Sequence, residues 1–352
     1  MNASPASRIR LSDPAELIAA VPHLLGFHPQ DSVVLLALHG KKLGLTLRAD
    51  LVEAEQAPLL AEQMLLPMAR QQPTGVALVV IGGDLIPDGE PPHRVLVDVF
   101  DGVLSSAGLP LVHAAWTAAT AAGAQWRCYD DPGCAGTVTD PASTPLAAAT
   151  VAAGGVTFGS REEIAGLLAG EDPAALQRRA ALLAAADADH PMSAALRIRR
   201  FAQLRDLHQA ATVGDIELSD RTVAELASAL CDHRVRDACL PWCTGPGAVA
   251  AERLWLALVR ATPAPERAEP AALLALVAYL RGDGALAGLA LDAALRACPH
   301  HSLSGLLLAA LEGGVPPEVL RTVATDAAQD AAEALRRPLR RTRRRRPRRR
   351  RG

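Results

Sequence analysis

The order of apolar and polar residues in the first half of the chain predicts alternating helices and strands. Asp13, Pro14 and Glu16 have the order of a helix start, because Asp caps a helix, Pro suits its first turn and Glu follows three residues after the cap. That helix is predicted to end near residue 25. Further helices are predicted at 54–70 and 91–106, and strands at 32–38, 43–51, 75–83, 111–118 and 125–129. The order α-β-β-α-β-α-β-β is typical of a mixed sheet with helices packed on it.

The second half of the chain is predicted to be helical throughout. Its Ala-rich and Leu-rich segments favour helix, and no segment has strand character. Helices are predicted at 142–153, 160–168, 174–188, 192–211, 219–231, 248–261, 267–281, 285–297, 302–312 and 316–336. The predicted fold class is therefore α/β followed by all-α, with a mixed β-sheet and flanking helices first and an α-helical repeat-like array second.

Length and pattern together predict the domain limits. A chain of 352 residues is long enough for two domains at about 150 residues each. We predict a flexible N-terminus at 1–10, an α/β domain at 11–170, a helical domain at 171–335 and a disordered Arg-rich tail at 336–352.

One helical pair has the residue spacing of a tetratricopeptide repeat. The residues that match this spacing are Ala275, Gly282, Ala287, Leu291, Ala294, Leu295 and Pro299. An array of this kind needs at least ~3 stacked units, so the neighbouring helix pairs are expected to supply the rest. We therefore expect a protein-interaction surface on the helical half.

The stretch 24–38 reads LLGFHPQDSVVLLAL and joins a helix end at Gly26 to an apolar strand that begins at Val33. This motif resembles the opening of a family of uncharacterised actinobacterial proteins, known as a domain of unknown function. The resemblance covers about residues 11–317. It implies a shared fold and a cytoplasmic bacterial setting, and it implies no activity.

His28 and Asp31 lie in the polar loop within this motif. A histidine and a carboxylate on a loop can act as a general acid and base, or as ligands for a small anion or a metal. Alternatively they only cap and turn the chain, because Pro29 and Ser32 beside them favour turns.

Other candidates lie at strand positions. Arg48 and Asp50 alternate with apolar residues, so they could line a cleft with Asp31 or form the solvent-facing side of a hairpin, which we favour. Gly82 and Gly83 follow a buried strand, at the end where open sheets commonly bind ligands. The candidate ligand-binding residues are Phe27, His28, Asp31, Ser32, Arg48, Gly82 and Gly83, and the candidate catalytic residues are His28, Asp31 and Asp50.

The motifs that mark well-known nucleotide-binding proteins and hydrolases are missing. The sequence has no GxGxxG, no Walker lysine, no HExxH and no Gly-x-Ser-x-Gly. Cys128 and Cys134, with Asp130 and Asp131 between them, could hold zinc, but the cysteines are further apart than is usual. Spacing also argues against a zinc site in a second group, which comprises Cys231, Cys239, Cys243 and His233. We predict no metal and no cofactor.

The start of the chain has no secretory signal, and charged residues, Pro or Gly interrupt every apolar run before it reaches membrane-spanning length. We therefore predict a cytoplasmic protein without a membrane partner. All six cysteines are then expected to be reduced thiols.

The net charge of −2 conceals an acidic body and a basic tail. Residues 336–352 contain twelve of the 36 basic residues and none of the 38 acidic ones, which leaves 24 against 38, or −14, on residues 1–335. The tail could bind nucleic acid or another polyanion without sequence preference, because it has no aromatic residues to stack on bases. Its candidate residues are Arg340, Arg341, Arg343, Arg344, Arg345, Arg346, Arg348, Arg349, Arg350 and Arg351.

Three functions fit the sequence. The first is a non-enzymatic module that binds a ligand or a protein partner; the second is a hydrolase built on His28, Asp31 and Asp50; the third is a nucleic-acid-associated protein held by its Arg tail.

A pulldown from native lysate separates the first of these functions from the third. It uses the full-length chain and residues 1–335, each with and without nuclease. We expect partners that persist through both treatments, because residues 1–335 carry a charge of −14, which disfavours polyanions. Partners that are lost under both treatments would instead indicate nucleic acid bound by the tail.

Overall fold

The structure is a computed structural model, and it describes residues 13–335 except 41, 87–88, 153, 186–191 and 215. The predicted N-terminal segment 1–10 and the Arg-rich tail 336–352 lie outside the described residues. The chain divides into two compact units. The first comprises Met1–Leu167, Arg281–Leu289 and Gly305–Pro317, and the second comprises Leu168–Leu280, Ala290–Ser304 and Glu318–Gly352. The predicted limits at 11–170 and 171–335 stay a prediction.

The first unit contains a six-stranded mixed sheet, as the sequence predicts. Its strands are β1 (Ser32–His39), β2 (Lys42–Asp50), β3 (Gly75–Ile81), β4 (Leu111–Thr117), β5 (Gln125–Cys128) and β6 (Ala135–Thr137). The helices before, among and after them are α1 (Pro14–Leu25), α2 (Ala57–Arg70), α3 (Arg94–Ser106), α4 (Pro145–Ala152) and α5 (Arg161–Leu167). The strand β6 was not predicted, because its three residues are too few to show a pattern.

The strand order across the sheet is β2-β1-β3-β4-β5-β6. β1 pairs antiparallel with β2 on one side and with β3 on the other. β3 and β4 are parallel and are joined through α3. The carboxyl ends of β3 and β4 therefore lie at the same edge of the sheet, next to the amino end of β1.

Apolar helices cover the sheet on both faces. One face packs against α2 and α3, through residues such as Met68 and Phe100. The other face packs against α1, through residues such as Ile18. β1 and β3 are buried between these two layers, which explains why their sequences are apolar at successive positions and do not alternate.

The remaining helices include those of the all-helical second half. They are α6 (Pro173–Ala185), α7 (Ala194–Ala210), α8 (Asp220–Leu230), α9 (His233–Ala238), α10 (Ala248–Ala261), α11 (Ala268–Arg281), α12 (Gly284–Ala297), α13 (Ser302–Glu312) and α14 (Pro317–Ala334). The described residues from 168 to 335 form no strand. The predicted fold class is confirmed, although the short helix α9 was missed.

An ion network stabilises the second unit. Arg179 is almost completely buried, and it contacts Glu171 at 2.8 Å and Asp220 at 2.7 Å while also donating to the carbonyl of Ala261. Both carboxylates are partly exposed. They therefore balance the charge of the buried guanidinium while they remain partly hydrated themselves. This arrangement fixes α6 against α8 and the end of α10.

Within the described part of the chain, none of the helices combines the length and the apolar character needed to cross a membrane.

The central strand β3 should be sensitive to loss of volume. Leu78 is fully buried in the core between the sheet and helices α2 and α3. We expect Leu78→Ala to lower the free energy of unfolding by about 2–5 kcal/mol, because the substitution removes buried surface and leaves a cavity. Leu59→Ala is the matched control, since Leu59 is 62% exposed, and it should change stability by less than ~0.5 kcal/mol. Chemical denaturation of both variants measures the difference; equal losses would contradict the assigned burial.

Candidate functional site

An open cleft of about 380 Å³ lies at the edge of the sheet where β3 and β4 end. Three loops surround it: the loop before β1, the loop after β3 and the loop after β4. The residues that line the cleft are Pro29, Gln30, Asp31, Gly82, Gly83, Asp84, Ala118 and Ala119. Carboxyl ends of parallel strands are a common place for ligand sites, because the chain leaves the sheet there and the loops diverge.

The floor of the cleft depends on a close approach between two loops. Ser32 pairs with Ile81 in the sheet, so Asp31 and Gly82 are the next residues beyond the ladder. A Cβ atom at Gly82 would lie 2.5 Å from Oδ1 of Asp31, and Gly82 and Gly83 have φ values of +113° and +72°. A side chain at Gly82 would therefore clash with Asp31 and strain the backbone. Trp116 supports this turn from below, since its indole Nε1 donates to the carbonyl of Gly82 at 2.7 Å.

Left-handed backbone occurs at two non-glycine residues beside this turn. Asp31 has φ of +39° and His93 has φ of +63°. His93 lies against Gly83, because a Cβ atom there would be 3.1 Å from the His93 Nε2. Such conformations cost roughly 1–3 kcal/mol each and persist where the surrounding structure requires them, often at binding sites.

Arg48 holds the loop before β1 in place. Its Nε donates to Oγ of Ser32 at 2.8 Å, and its guanidinium also contacts the carbonyl of Gln30 and the carboxylate of Asp50. The Ser32 hydroxyl in turn donates to the Gln30 carbonyl at 2.6 Å. The guanidinium lies 5.9 Å from the ring centre of Phe27, which adds a cation–π contact. Arg48 is therefore a positioning residue for the wall of the cleft.

His28 is fixed on the side of the loop that faces the region after β4. Its Nδ1 lies 3.1 Å from the hydroxyl of Thr120, and its backbone N–H donates to the carbonyl of Phe158. Burial lowers the pKa of His28, and the neighbouring His23 lowers it further, so the ring is neutral at neutral pH. The imidazole can accept or donate one hydrogen bond without carrying charge.

The predicted site residues therefore divide into three groups. Asp31, Gly82 and Gly83 meet at the cleft, whereas Phe27, Ser32 and Arg48 form its support. The third group lies outside the lining and comprises His28, which is bonded to Thr120, and Asp50, whose carboxylate is 80% exposed and ion-paired with Arg48. Of the three catalytic candidates His28, Asp31 and Asp50, only Asp31 is among the described residues that line the cleft.

The rest of the lining was not among the predicted site residues and comprises Pro29, Gln30, Asp84, Ala118 and Ala119. Asp84 follows the glycine pair directly, so its position after β3 was a usable signal. The two alanines carry no chemical signal. Only the parallel pairing of β3 with β4 brings them to the same edge as Gly82.

The expectation that all six cysteines are reduced thiols is wrong for two of them. Cys128 and Cys134 form a disulfide, because the β5–β6 hairpin places them opposite each other with their Cα atoms 5.4 Å apart. The other four cysteines are free. Cys239 and Cys243 are core residues, and burial raises the pKa of the Cys243 thiol to about 12.

The second unit contains a buried polar network that was not predicted. His301 Nδ1 lies 2.7 Å from the hydroxyl of Ser304, and its Nε2 lies 3.2 Å from a carboxylate oxygen of Glu269, which Arg236 also contacts. Ser304 is completely buried, so no substrate reaches its hydroxyl. The Ser304 backbone N–H donates to His301 Nδ1, which makes the histidine a cap for α13. The network is structural.

Among the described residues, no three His, Cys, Asp or Glu side chains converge in a way that could hold a metal ion.

Fold and site together define a class: a mixed-sheet α/β unit with a ligand-sized cleft at its parallel strand ends, followed by a helical half. Residues 14–318 match the model of a family described as a domain of unknown function, DUF4192. The match spans more than half of the chain, and the chain belongs to this family. No curated protein and no solved structure matches the chain.

Replacement of Arg48 should loosen the loop before β1. We expect Arg48→Ala to reduce the free energy of unfolding by about 1.5–3 kcal/mol, because it removes charged hydrogen bonds to the buried Ser32 and to the Gln30 carbonyl. Asp50→Ala removes only the exposed partner and should cost less than ~1 kcal/mol. Urea unfolding compares the two variants. A larger loss for Asp50→Ala than for Arg48→Ala would overturn the role given to the guanidinium.

Proposed function

We propose that the first unit is a non-enzymatic binding module that takes a small polar ligand in the cleft at the ends of β3 and β4. The observation that carries this proposal is the close approach of Asp31 to the Gly82–Gly83 turn, with left-handed backbone at Asp31 and His93 beside it. Strain of this kind, at the carboxyl ends of parallel strands, is typical of sites that are shaped for a ligand.

The chemistry of the lining indicates the kind of ligand. Asp31 and Asp84 are the charged residues among those that line the cleft, and both are acidic. A ligand with an ammonium or guanidinium group fits this lining, because it can donate to the carboxylates. An anionic ligand such as a phosphate fits less well.

The hydrolase alternative receives less support. General acid–base catalysis needs its groups within hydrogen-bond reach of a common reacting atom. His28 is bonded to Thr120 and Asp50 to Arg48, and neither lines the cleft with Asp31. Nucleic-acid binding by the Arg tail concerns residues outside the described part of the chain and stays a prediction from charge.

For the helical half we propose a surface that binds a protein partner. The helical pair α11 and α12 supports it, because Gly282 with φ of +90° separates the helices and Asp283 caps the start of α12 through the backbone N–H of Leu286. This pair coincides with the residues that match a tetratricopeptide repeat. A cytoplasmic location and an actinobacterial relationship belong to the same proposal, and both are supported by the sequence motif.

A thermal-shift screen with defined probes tests the binding function. The probes are arginine, spermidine and agmatine as cations, and AMP and inorganic phosphate as anions. We expect at least one cation to raise the melting midpoint of the full chain. We expect Asp31→Asn to need about ten times more ligand for the same shift, in line with loss of a charged hydrogen bond of ~1.4 kcal/mol or more.

Asp50→Asn is the control, because it removes a carboxylate of the same region that lies outside the cleft lining. It should leave the ligand response unchanged. A response to phosphate or AMP that survives Asp31→Asn would sink the proposed chemistry, and equal effects of both substitutions would show that general charge, not the cleft, is responsible.

A further inference from the structure

The disulfide between Cys128 and Cys134 lies at the edge of the sheet, in the hairpin that joins β5 to β6. The hairpin is held by backbone hydrogen bonds that do not need the sulfur atoms. The N–H of Cys128 donates to the carbonyl of Cys134 at 2.9 Å, and the N–H of Cys134 donates to the carbonyl of Asp131 at 2.9 Å. The Gly133 N–H also donates to the Asp131 carboxylate at 2.8 Å. The hairpin therefore keeps the two cysteines opposite each other whether or not the bond is formed.

The two sulfur atoms are in different surroundings. Cys128 is buried against β4, whereas Cys134 is half-buried and is followed by β6, whose three residues are all exposed. A small thiol from solution can approach Cys134 from this open edge. Disulfides with such access are generally the ones that exchange, whereas buried ones are structural.

The imidazole of His113 lies next to the buried sulfur of Cys128 and can act as a base. Nε2 of His113, on β4, lies 3.7 Å from Sγ of Cys128. Burial lowers the pKa of His113, and Asp130 opposes that effect only in part, so the ring is largely neutral at neutral pH and can accept a thiol proton. The thiolate is the reactive form of cysteine, so a neighbouring base speeds exchange at this sulfur.

We propose that Cys128 and Cys134 form a reversible dithiol–disulfide site that exchanges with low-molecular-weight thiols, with Cys134 as the sulfur that is attacked and Cys128 as the resolving sulfur assisted by His113. This site is separate from the ligand cleft, and its existence does not depend on the proposed binding function.

The exchange balances in both directions. In reduction, a thiolate RS⁻ attacks Sγ of Cys134, the disulfide bond breaks, and Cys128 leaves as a thiolate that takes up a proton. A second RS⁻ attacks the mixed disulfide at the sulfur of the small thiol, which releases RSSR and the Cys134 thiolate. In oxidation the thiolate of Cys134 attacks RSSR and releases RS⁻; Cys128 then gives its proton to His113 and attacks Sγ of Cys134, which releases the second RS⁻.

The other cysteines provide an internal contrast. Cys239 is completely buried and donates to the carbonyl of Val235, and burial raises the pKa of its thiol well above the usual range. Cys243 is also buried. Within the described residues, the bond between Cys128 and Cys134 is the disulfide of the chain, and the remaining four thiols are free. Cys231 is exposed and Cys298 is half-buried, so a small disulfide can reach them, but each would form only a mixed disulfide. A reversible disulfide within the chain is therefore expected at the hairpin.

The test equilibrates the full-length protein, without denaturant, in buffers of stepped ratios of reduced to oxidised glutathione. Each sample is quenched with acid, unfolded and alkylated, and peptide mass spectrometry measures the alkylated fraction of each cysteine. We expect Cys128 and Cys134 to change together from disulfide to thiols across the series, while the buried Cys239 and Cys243 are alkylated at every ratio. A pair that stays oxidised in excess reduced glutathione, or stays reduced in excess oxidised glutathione, would falsify the proposal.

His113→Gln tests the assigned base. We expect it to slow the rate of disulfide formation by oxidised glutathione by about a hundredfold, at the lower end of what a positioned base contributes, and to leave the equilibrium ratio nearly unchanged. His300→Gln, at an exposed position, is the matched control and should have the wild-type rate. If His113→Gln changes stability but not the rate, His113 is only structural, and the role given to it is wrong.

Discussion

The ladder between β1 and β3 is the constraint on which the first unit depends. Ser32 to Leu38 pair with Ile81 to Gly75 in antiparallel register, and both strands are buried on both faces. Buried peptide groups must be hydrogen-bonded, so these two strands cannot shift relative to each other without losing several bonds at once. Because the ladder ends at Ser32 and Ile81, it also determines that Asp31 meets Gly82. The shape of the cleft is thus a direct consequence of strand register.

The parallel pairing of β3 with β4 completes the site. It brings the loop after Thr117 to the edge where β3 ends, and Trp116 secures the turn at Gly82 from within the core. Arg48, which lies on β2, holds the loop before β1 in place through its hydrogen bond to Ser32. Four strands, β1 to β4, consequently support the cleft, although the residues that line it lie in the loops beyond the strand ends.

Local signals in the sequence were sufficient to predict the helices and strands. They were insufficient to predict which residues from distant parts of the chain contact each other. The helix start at Asp13 and the apolar runs of β1 and β3 depend on neighbouring residues, and they were predicted within a few positions. The loop motif and the glycine pair also indicate candidate site residues from local sequence alone. The role of Arg48 toward Ser32, and the pairing of Cys128 with Cys134, depend on which strands become neighbours, and residue types alone do not specify that. The assumption of a reducing compartment added a wrong expectation about the cysteines.

The contact between residues 26–28 and Phe158 has a consequence for synthesis on the ribosome. Phe158 donates its backbone N–H to the carbonyl of Gly26 and accepts a hydrogen bond from the N–H of His28, so the loop that opens the motif is completed by a residue about 130 positions later. Contacts of such long sequence separation form late, because the intervening chain must first be ordered. During synthesis, strand β1 therefore leaves the ribosome long before the residues that pack around it. The α/β unit cannot complete its fold until Phe158 has also emerged.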